Sequence, residues 1–361
     1  MSSNYFSPET PAFDRLRLTS ARRVQPPRRR SQPVLLLKII FCATLAFLFF
    51  IGPWNNLQII YGNPFGKPYR NNDSTAAASE TAAIYQKHHD AACQKRLDKL
   101  DSLFNERRKV RQNATSSWKP RNSKMKFDLY EPEANCISEE RFGSDSTVRY
   151  EAFGDGPKFV CGVDVLAEKA KKKNNCLVYS VGSNNDIRFE KAVHTYMNGC
   201  EIHTFDPTMS DTPFVGGEYA TFHPWGLGTD GGSEGATMNQ RKDDGERMSF
   251  QTVMEKLGHT NRTIDILKID CQGCEYASMP PLFDLIASGN VLVDQVLIEL
   301  HGVSDFTSRL KKFFSAADKA KLRIVHKERN QWGCDGMRCV EYALVSESFL
   351  REANEAILCS S

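Results

Sequence analysis

The stretch Ile264–Glu275, I-D-I-L-K-I-D-C-Q-G-C-E, ends an apolar run on a carboxylate, Asp270, and passes at once into a Gly-containing turn. A buried parallel strand delivers a side chain in this way to the carboxyl edge of an α/β sheet, where ligands of open sheets bind. Val293–Leu300 repeats the pattern and brings Glu299 and His301 to the end of the next strand. Asp270, Glu299 and His301 can therefore converge over one pocket. Two earlier segments share the grammar. Val178–Asp186, V-Y-S-V-G-S-N-N-D, puts Gly182 at a strand-to-helix turn, where backbone approaches a ligand closely and a helix N-terminus offers its N–H groups. Asn184 and Asn185 tolerate the left-handed conformation that further glycines would otherwise supply. H-T-F-D-P then places Asp206 at the following strand end, about one βαβ unit from Gly182. A carboxylate there can accept the hydroxyls of a ribose, and it can equally cap the turn at Pro207.

Strands and helices must take turns to hold these residues at one edge. The apolar pattern predicts strands at Cys176–Val181, Glu201–Phe205, Tyr219–Pro224, Ile264–Ile269, Val293–Leu300, Arg323–Lys327 and Val340–Val345. Helices are expected at Ile187–Met197, Phe250–Gly258, Pro281–Ser288 and Thr307–Ala320. Alternation of this kind means βαβ units, a mostly parallel sheet and two covering layers. The last two strands should form an antiparallel hairpin at the sheet edge. Residues 135–361 make one α/β domain of ordinary size.

The N-terminal third has another texture. Residues 1–33 hold seven Arg against Glu9 and Asp14 and are Pro-rich, which predicts a disordered basic tail. Val34–Trp54 is nearly continuous apolar sequence, long enough to cross a bilayer of about 30 Å as a helix. Lys38 lies one turn inside, where its stem can snorkel to the headgroups. Basic residues before the span place the amino terminus in the cytosol, and no small-residue cleavage site follows the span. The expectation is a single-pass type II signal anchor with the remainder in a secretory-pathway lumen, Golgi or other. Ten of the eleven Cys then lie on the oxidising side, as do sequons at Asn72, Asn113 and Asn261. Residues 55–134 read as a luminal stem whose segment 84–111 is helical. Its stripe Leu97, Leu100 and Phe104 could pair two copies of the chain. The membrane context argues against nucleic acid as the partner of the basic tail.

Cys334 and Cys339 bracket a short loop and suit a disulfide. Cys271-x-x-Cys274 fits a redox pair, a metal half-site or two cysteines bonded elsewhere, and the pairing stays open. No second CxxC or His stands at ligand spacing, so no metal ligand set is assigned.

The order V-G-S-N, F-E-K, C-E-I-H-T-F-D-P, L-K-I-D-C-Q-G-C-E, V-L-I-E-L-H resembles S-adenosylmethionine-dependent methyltransferases of the FkbM type, and most of all their membrane-anchored animal branch, the methyltransferase-like protein 24 family. The likeness spans roughly Cys136–Val345. It implies a Rossmann-like methyltransferase sandwich and S-adenosylmethionine as cofactor. Gly182, Ser183 and Asn184 would face its methionine part, Asp206 with Pro207 its ribose, and the turn His223–Leu227, with Trp225 and Gly226, its adenine. Two positions depart from the pattern: Ser180 stands near where many methyltransferases have an acid, and Gln272 replaces the FkbM Glu. Methyl transfer from a sulfonium needs in-line positioning and removal of the acceptor's proton. On this resemblance His301 is the expected base at its ordinary pKa near 6.5. Asp270 and Glu299 would stand beside it, and Glu275 would orient the loop or the acceptor. Asp270, Glu299 and His301 could instead hold a divalent ion, the weaker reading. The implied function is O-methylation of a glycan or other secreted acceptor. A non-catalytic luminal binding protein on the same scaffold is the alternative. A glycosyltransferase shares the anchor–stem layout but usually needs a D-x-D, which is absent.

Overall fold

The computed structural model describes residues 74–117, 127–143, 155–172, 175–228, 245–302, 306–334 and 338–359. The basic tail 1–33, the apolar span 34–54 and the Asn72 sequon lie outside the described residues. Among the described residues no helix is long and apolar enough to cross a membrane.

The chain runs α1 (Ser74–Ser117), β1 (Glu139–Phe142), β2 (Lys158–Cys161), α2 (Val163–Ala170), β3 (Leu177–Val181), α3 (Arg188–Tyr196) and β4 (Glu201–Phe205). After a single turn at Pro207–Met209 come β5 (Thr221–His223), β6 (Gly226–Leu227), β7 (Arg247–Met248), α4 (Phe250–Leu257), β8 (Thr263–Ile269) and α5 (Glu275–Ala287). The last third is β9 (Leu292–His301), α6 (Phe306–Lys319), β10 (Leu322–Arg329), β11 (Cys339–Ser346) and α7 (Glu347–Leu358).

Seven strands form one sheet in the order β10-β11-β9-β8-β3-β4-β5. β3, β4, β5, β8 and β9 run parallel, while β11 is antiparallel to both of its neighbours. The fold is a Rossmann-like sandwich. The expected antiparallel hairpin of the last two strands is present at the sheet edge, with β10 outermost and β11 between β10 and β9. The burial of β11 fits that place. Cys339–Val345 is buried throughout, a pattern that suits an interior strand and not an edge. Strand order reverses between β3 and β8, and open α/β sheets bind ligands in the crevice at such a point.

The sheet is apolar on both faces. Tyr179, Phe205, Leu267 and Ile298 pack with Phe283, Phe313 and Phe314 of the helices on one side. Val178, Ile266 and Leu297 pack with Val193, Leu166 and Phe349 on the other. Helix α5 begins six residues before the expected Pro281. Pro280 and Pro281 lie inside it, and Ala277 and Ser278 both donate to the Cys274 carbonyl in its first turn.

Helix α1 also departs from expectation. It is 44 residues long, and the part read as a free stem is docked on the domain. Leu97 and Phe104 are buried, and Cys93 is disulfide-bonded to Cys359 beyond α7. Arg108 pairs with Asp318 and Glu347, and Arg111 with Glu133 and Asp318. The apolar stripe offered above to a second copy is covered by the chain itself.

Candidate active site

Backbone hydrogen bonds align the carboxyl ends of the parallel strands. Gly182 donates to the Phe205 carbonyl (2.8 Å), Asp270 to Val181 (2.9 Å) and Asp206 to His223 (3.1 Å). Gly182 has φ +77°, and a Cβ there would stand 1.8 Å from the Asp270 carbonyl oxygen, so only glycine lets the β3 and β8 ends meet this closely.

Over this edge opens a cavity of about 720 Å³, within the usual size range of small-molecule sites. Gly182, Ser183, Asn184, Asp206, Pro207, Gly226, Asp270, Glu299 and His301 all line it. Two sequence-predicted residues do not. Trp225 is stacked on His223 (ring centroids 4.5 Å apart) with Lys256 Nζ 5.4 Å from its ring centroid, and it leaves the cavity wall to Gly226 and Leu227. Glu275 is fully buried behind the wall and accepts from His301 Nδ1 at 2.7 Å.

Asp206 does two jobs. Its Oδ1 accepts from the Thr208 amide (3.0 Å) and hydroxyl (2.6 Å), which is the capping role, while Oδ2 accepts from the Asn184 amide at 2.7 Å. Oδ2 keeps acceptor capacity beside the cavity.

The other end of the cavity is a charged well that sequence reasoning resolved only in part. Lys158 from β2 is buried and reaches Glu341 at 2.7 Å and Asp270 at 3.3 Å. Lys268 donates to the Gly182 carbonyl at 3.1 Å. Glu299 accepts from the Asn330 amide at 2.8 Å, and His301 Nε2 lies 3.5 Å from it. Carboxylate oxygens of Asp270, Glu299 and Glu341 lie within 4.8 Å of one another. Like charges so close cannot all ionise at one pH. Burial favours a neutral Asp270, but Lys158 and Lys268 outweigh it and hold its pKa below the ordinary range. Burial, then the charges of Asp270 and Glu341, push Glu299 up to about 8. Burial and the Asp270 charge, against the pull of Lys158, bring Glu341 to about 7.

His301 requires a correction. Burial disfavours its charge, yet the Glu275 hydrogen bond and the charges of Glu275, Glu299 and Asp270 raise it to about 9. These surroundings favour the imidazolium, which has no lone pair to take a proton, over the neutral ring expected at an ordinary histidine pKa. The group whose pKa lies nearest neutrality and faces the cavity is Glu299.

Lys158, Asn330 and Glu341 escaped the sequence reading. Lys158 sits on a hairpin too short to show a period. Glu341 did leave a signal, a lone carboxylate inside the apolar run C-V-E-Y-A-L-V.

Residues 75–346 match the family described as "Methyltransferase domain". "Probable methyltransferase-like protein 24" of Homo sapiens is 25% identical over 139 residues, covering 38% of this chain and 35% of its own length. The Rattus norvegicus protein of that name is 25% identical over 170 residues, covering 46% and 44%. The chain thus spans less than half the length of these curated relatives. Among solved structures, the fibrillarin pre-rRNA processing protein of Methanococcus jannaschii is similar over 56% of this chain and 87% of its own, with a TM-score of 0.29 and 8% identity. S-adenosylmethionine is the cofactor that goes with the domain. The residues fit it: Gly182 gives close backbone approach, Asp206 lines the cavity and its Oδ2 takes a single donor, and the volume accommodates a nucleoside. The family match covers some three quarters of the sequence, and the chain belongs to the methyltransferase domain family.

Proposed function

We propose that this is a single-pass type II membrane protein whose luminal domain transfers a methyl group from S-adenosylmethionine to a hydroxyl of a glycan or other secreted acceptor. The observation that carries the reaction is the convergence of Gly182, Asp206, Asp270, Glu299 and His301 on one cavity at the strand-order reversal. The luminal reading is supported by the cysteines. All ten outside Cys42 are paired: Cys93–Cys359, Cys136–Cys161, Cys176–Cys200, Cys271–Cys274 and Cys334–Cys339. Disulfides on this scale persist in oxidising compartments. Asn261 is exposed in the turn after α4, where a glycan has room.

The bound cofactor supplies an activated methyl on a sulfonium. The protein has three tasks. Gly182 to Asn184 and Asp206 Oδ2 bind and orient the donor. Ionised Glu299 accepts the acceptor hydroxyl's proton, with a pKa close enough to working pH for efficient transfer. His301, held charged by Glu275, stabilises the Glu299 anion from 3.5 Å.

A second reading, a binding protein without turnover, is favoured by one observation: Asp206 already serves three donors of its own chain. Calorimetric titration of the purified full-length chain with S-adenosylmethionine separates the two. Binding that Asp206→Ala abolishes, with labelled methyl appearing on secreted glycans, is the expected result. Absence of binding sinks the enzyme reading, and protease accessibility of the domain in sealed vesicles from the cytosolic side sinks the topology.

A further inference from the structure

At the opposite end of β4 from the cavity, three side chains converge on one point. His203 Nε2 lies 2.9 Å from Glu201 Oε1, and His259 Nε2, from the turn after α4, lies 3.3 Å from the same oxygen. All three ligand atoms fall within 4.8 Å of one another. From this geometry we propose a Zn²⁺ site with Glu201, His203 and His259 as protein ligands and water in a fourth position.

Ligands at about 2.0–2.1 Å from a tetrahedral Zn²⁺ stand about 3.3 Å apart, close to the 2.9 and 3.3 Å found here. The far side of each ligand is also held, as metal ligands require. His203 Nδ1 meets His223 Nε2 at 2.9 Å, His259 Nδ1 meets the Tyr179 hydroxyl at 2.7 Å, and Arg262 pairs with Glu201 Oε2. Nδ1 of each ring is engaged elsewhere, and in the tautomer that carries the proton on Nδ1 both Nε2 lone pairs are directed at the same carboxylate oxygen. A divalent cation can take all three atoms as ligands at this spacing, with Arg262 left on the outer oxygen of Glu201.

Access fits as well. The two imidazoles are buried, at 6% and 5% exposure, whereas the Glu201 side chain is 39% exposed and opens the site to solvent. Two imidazoles and a carboxylate suit Zn²⁺ and not Mg²⁺ or Ca²⁺, which prefer oxygen alone. No spacing rule links Glu201 and His203 to His259, which is why sequence reasoning assigned no metal. The ion would pin β4 to the α4–β8 turn. It would also fix the ring stack His203–His223–Trp225 (centroids 5.1 and 4.5 Å apart) that ends beside Gly226 in the cavity wall.

The test is metal content of the purified full-length chain, then Co²⁺ titration after chelator treatment. One equivalent of Co²⁺ with the ligand-field bands of a four-coordinate nitrogen–oxygen site is expected, displaced by Zn²⁺. Glu201→Gln and His259→Gln should each abolish the bands. Tyr179→Phe should keep them while weakening affinity roughly 10–100-fold. Wild-type protein that shows no such bands overturns the proposal without reference to any variant. So does metal uptake that both Gln variants retain, since the ion would then sit elsewhere.

Discussion

Lys158→Met is the sharpest perturbation of the charged well. Lys158 is the shared cation of Glu341 and Asp270, at 2.7 and 3.3 Å. At an effective dielectric near 20, those separations correspond to roughly 6 and 5 kcal/mol of gross attraction. Most of that offsets the cost of burying the charges, so the net effect of removing one partner is about 3–5 kcal/mol. Methionine matches the stem in length, which keeps cavity formation out of the comparison. The sign of the pH dependence follows from the carboxylates. In the native protein Asp270 is held below its ordinary pKa, so its contribution is present above the unfolded value of 3.8 and lost as pH falls through the folded one. Without Lys158, Asp270, Glu299 and Glu341 all prefer to be neutral when folded, and the variant is penalised most where all three would ionise. The expected stability gap is therefore full at pH 8 and smaller at pH 5. Thermal unfolding at both values reads it, with roughly 2–4 °C per kcal/mol for a domain of this class. A gap that is the same at pH 5 and pH 8, or below about 1 kcal/mol at pH 8, would refute the claim that Lys158 neutralises this cluster.

Methyl transfer should rise with pH through about 8 as Glu299 ionises, and Glu299→Gln should remove that limb and slow the reaction by roughly 10²–10⁴-fold. Glu275→Gln should bring the His301 pKa down from about 9 towards 6.5, read by NMR titration of the ring protons; an unmoved value would show that Glu275 does not hold the charge. Gly182→Ala should cost more than about 2 kcal/mol in urea unfolding, because left-handed strain adds to the contact with the Asp270 carbonyl. Cys93→Ser opens a link between residues 266 apart in sequence; with four other disulfides shortening the free loop, a loss of about 2–5 kcal/mol is expected by calorimetry.

The parallel strands were legible because their residues are apolar on both faces and their ends are marked by polar residues. Glu201–Phe205 was placed to the residue, and Ile264–Ile269 missed only Thr263. What escaped was set by contacts between distant segments. The apolar run of β11 suits an interior strand, but which strand becomes its second neighbour, β9, depends on contacts distant in sequence. Helix α1 was visible as a helix, but its docking depends on Arg108, Arg111 and Cys93 meeting partners more than 200 residues away, apart from Glu133.

The same limit explains the error at His301. Residue type supplies an ordinary pKa, and environment supplies the shift. Glu275, from the first turn of α5, and Glu299, two residues earlier on the strand, both face the ring. In the sequence each is a separate candidate, and only their joint proximity raises the pKa of the histidine. That exchange of roles is internally consistent: the anions that keep His301 charged include the carboxylate left to take the proton. A site read as three parallel candidates thus works as one unit, in which Glu275 sets the charge of His301 and Lys158 sets that of Asp270. Glu299 is the member both arrangements leave near neutrality, so a Glu299 variant should change the shape of the pH profile, whereas Glu275 and Lys158 variants should shift its position.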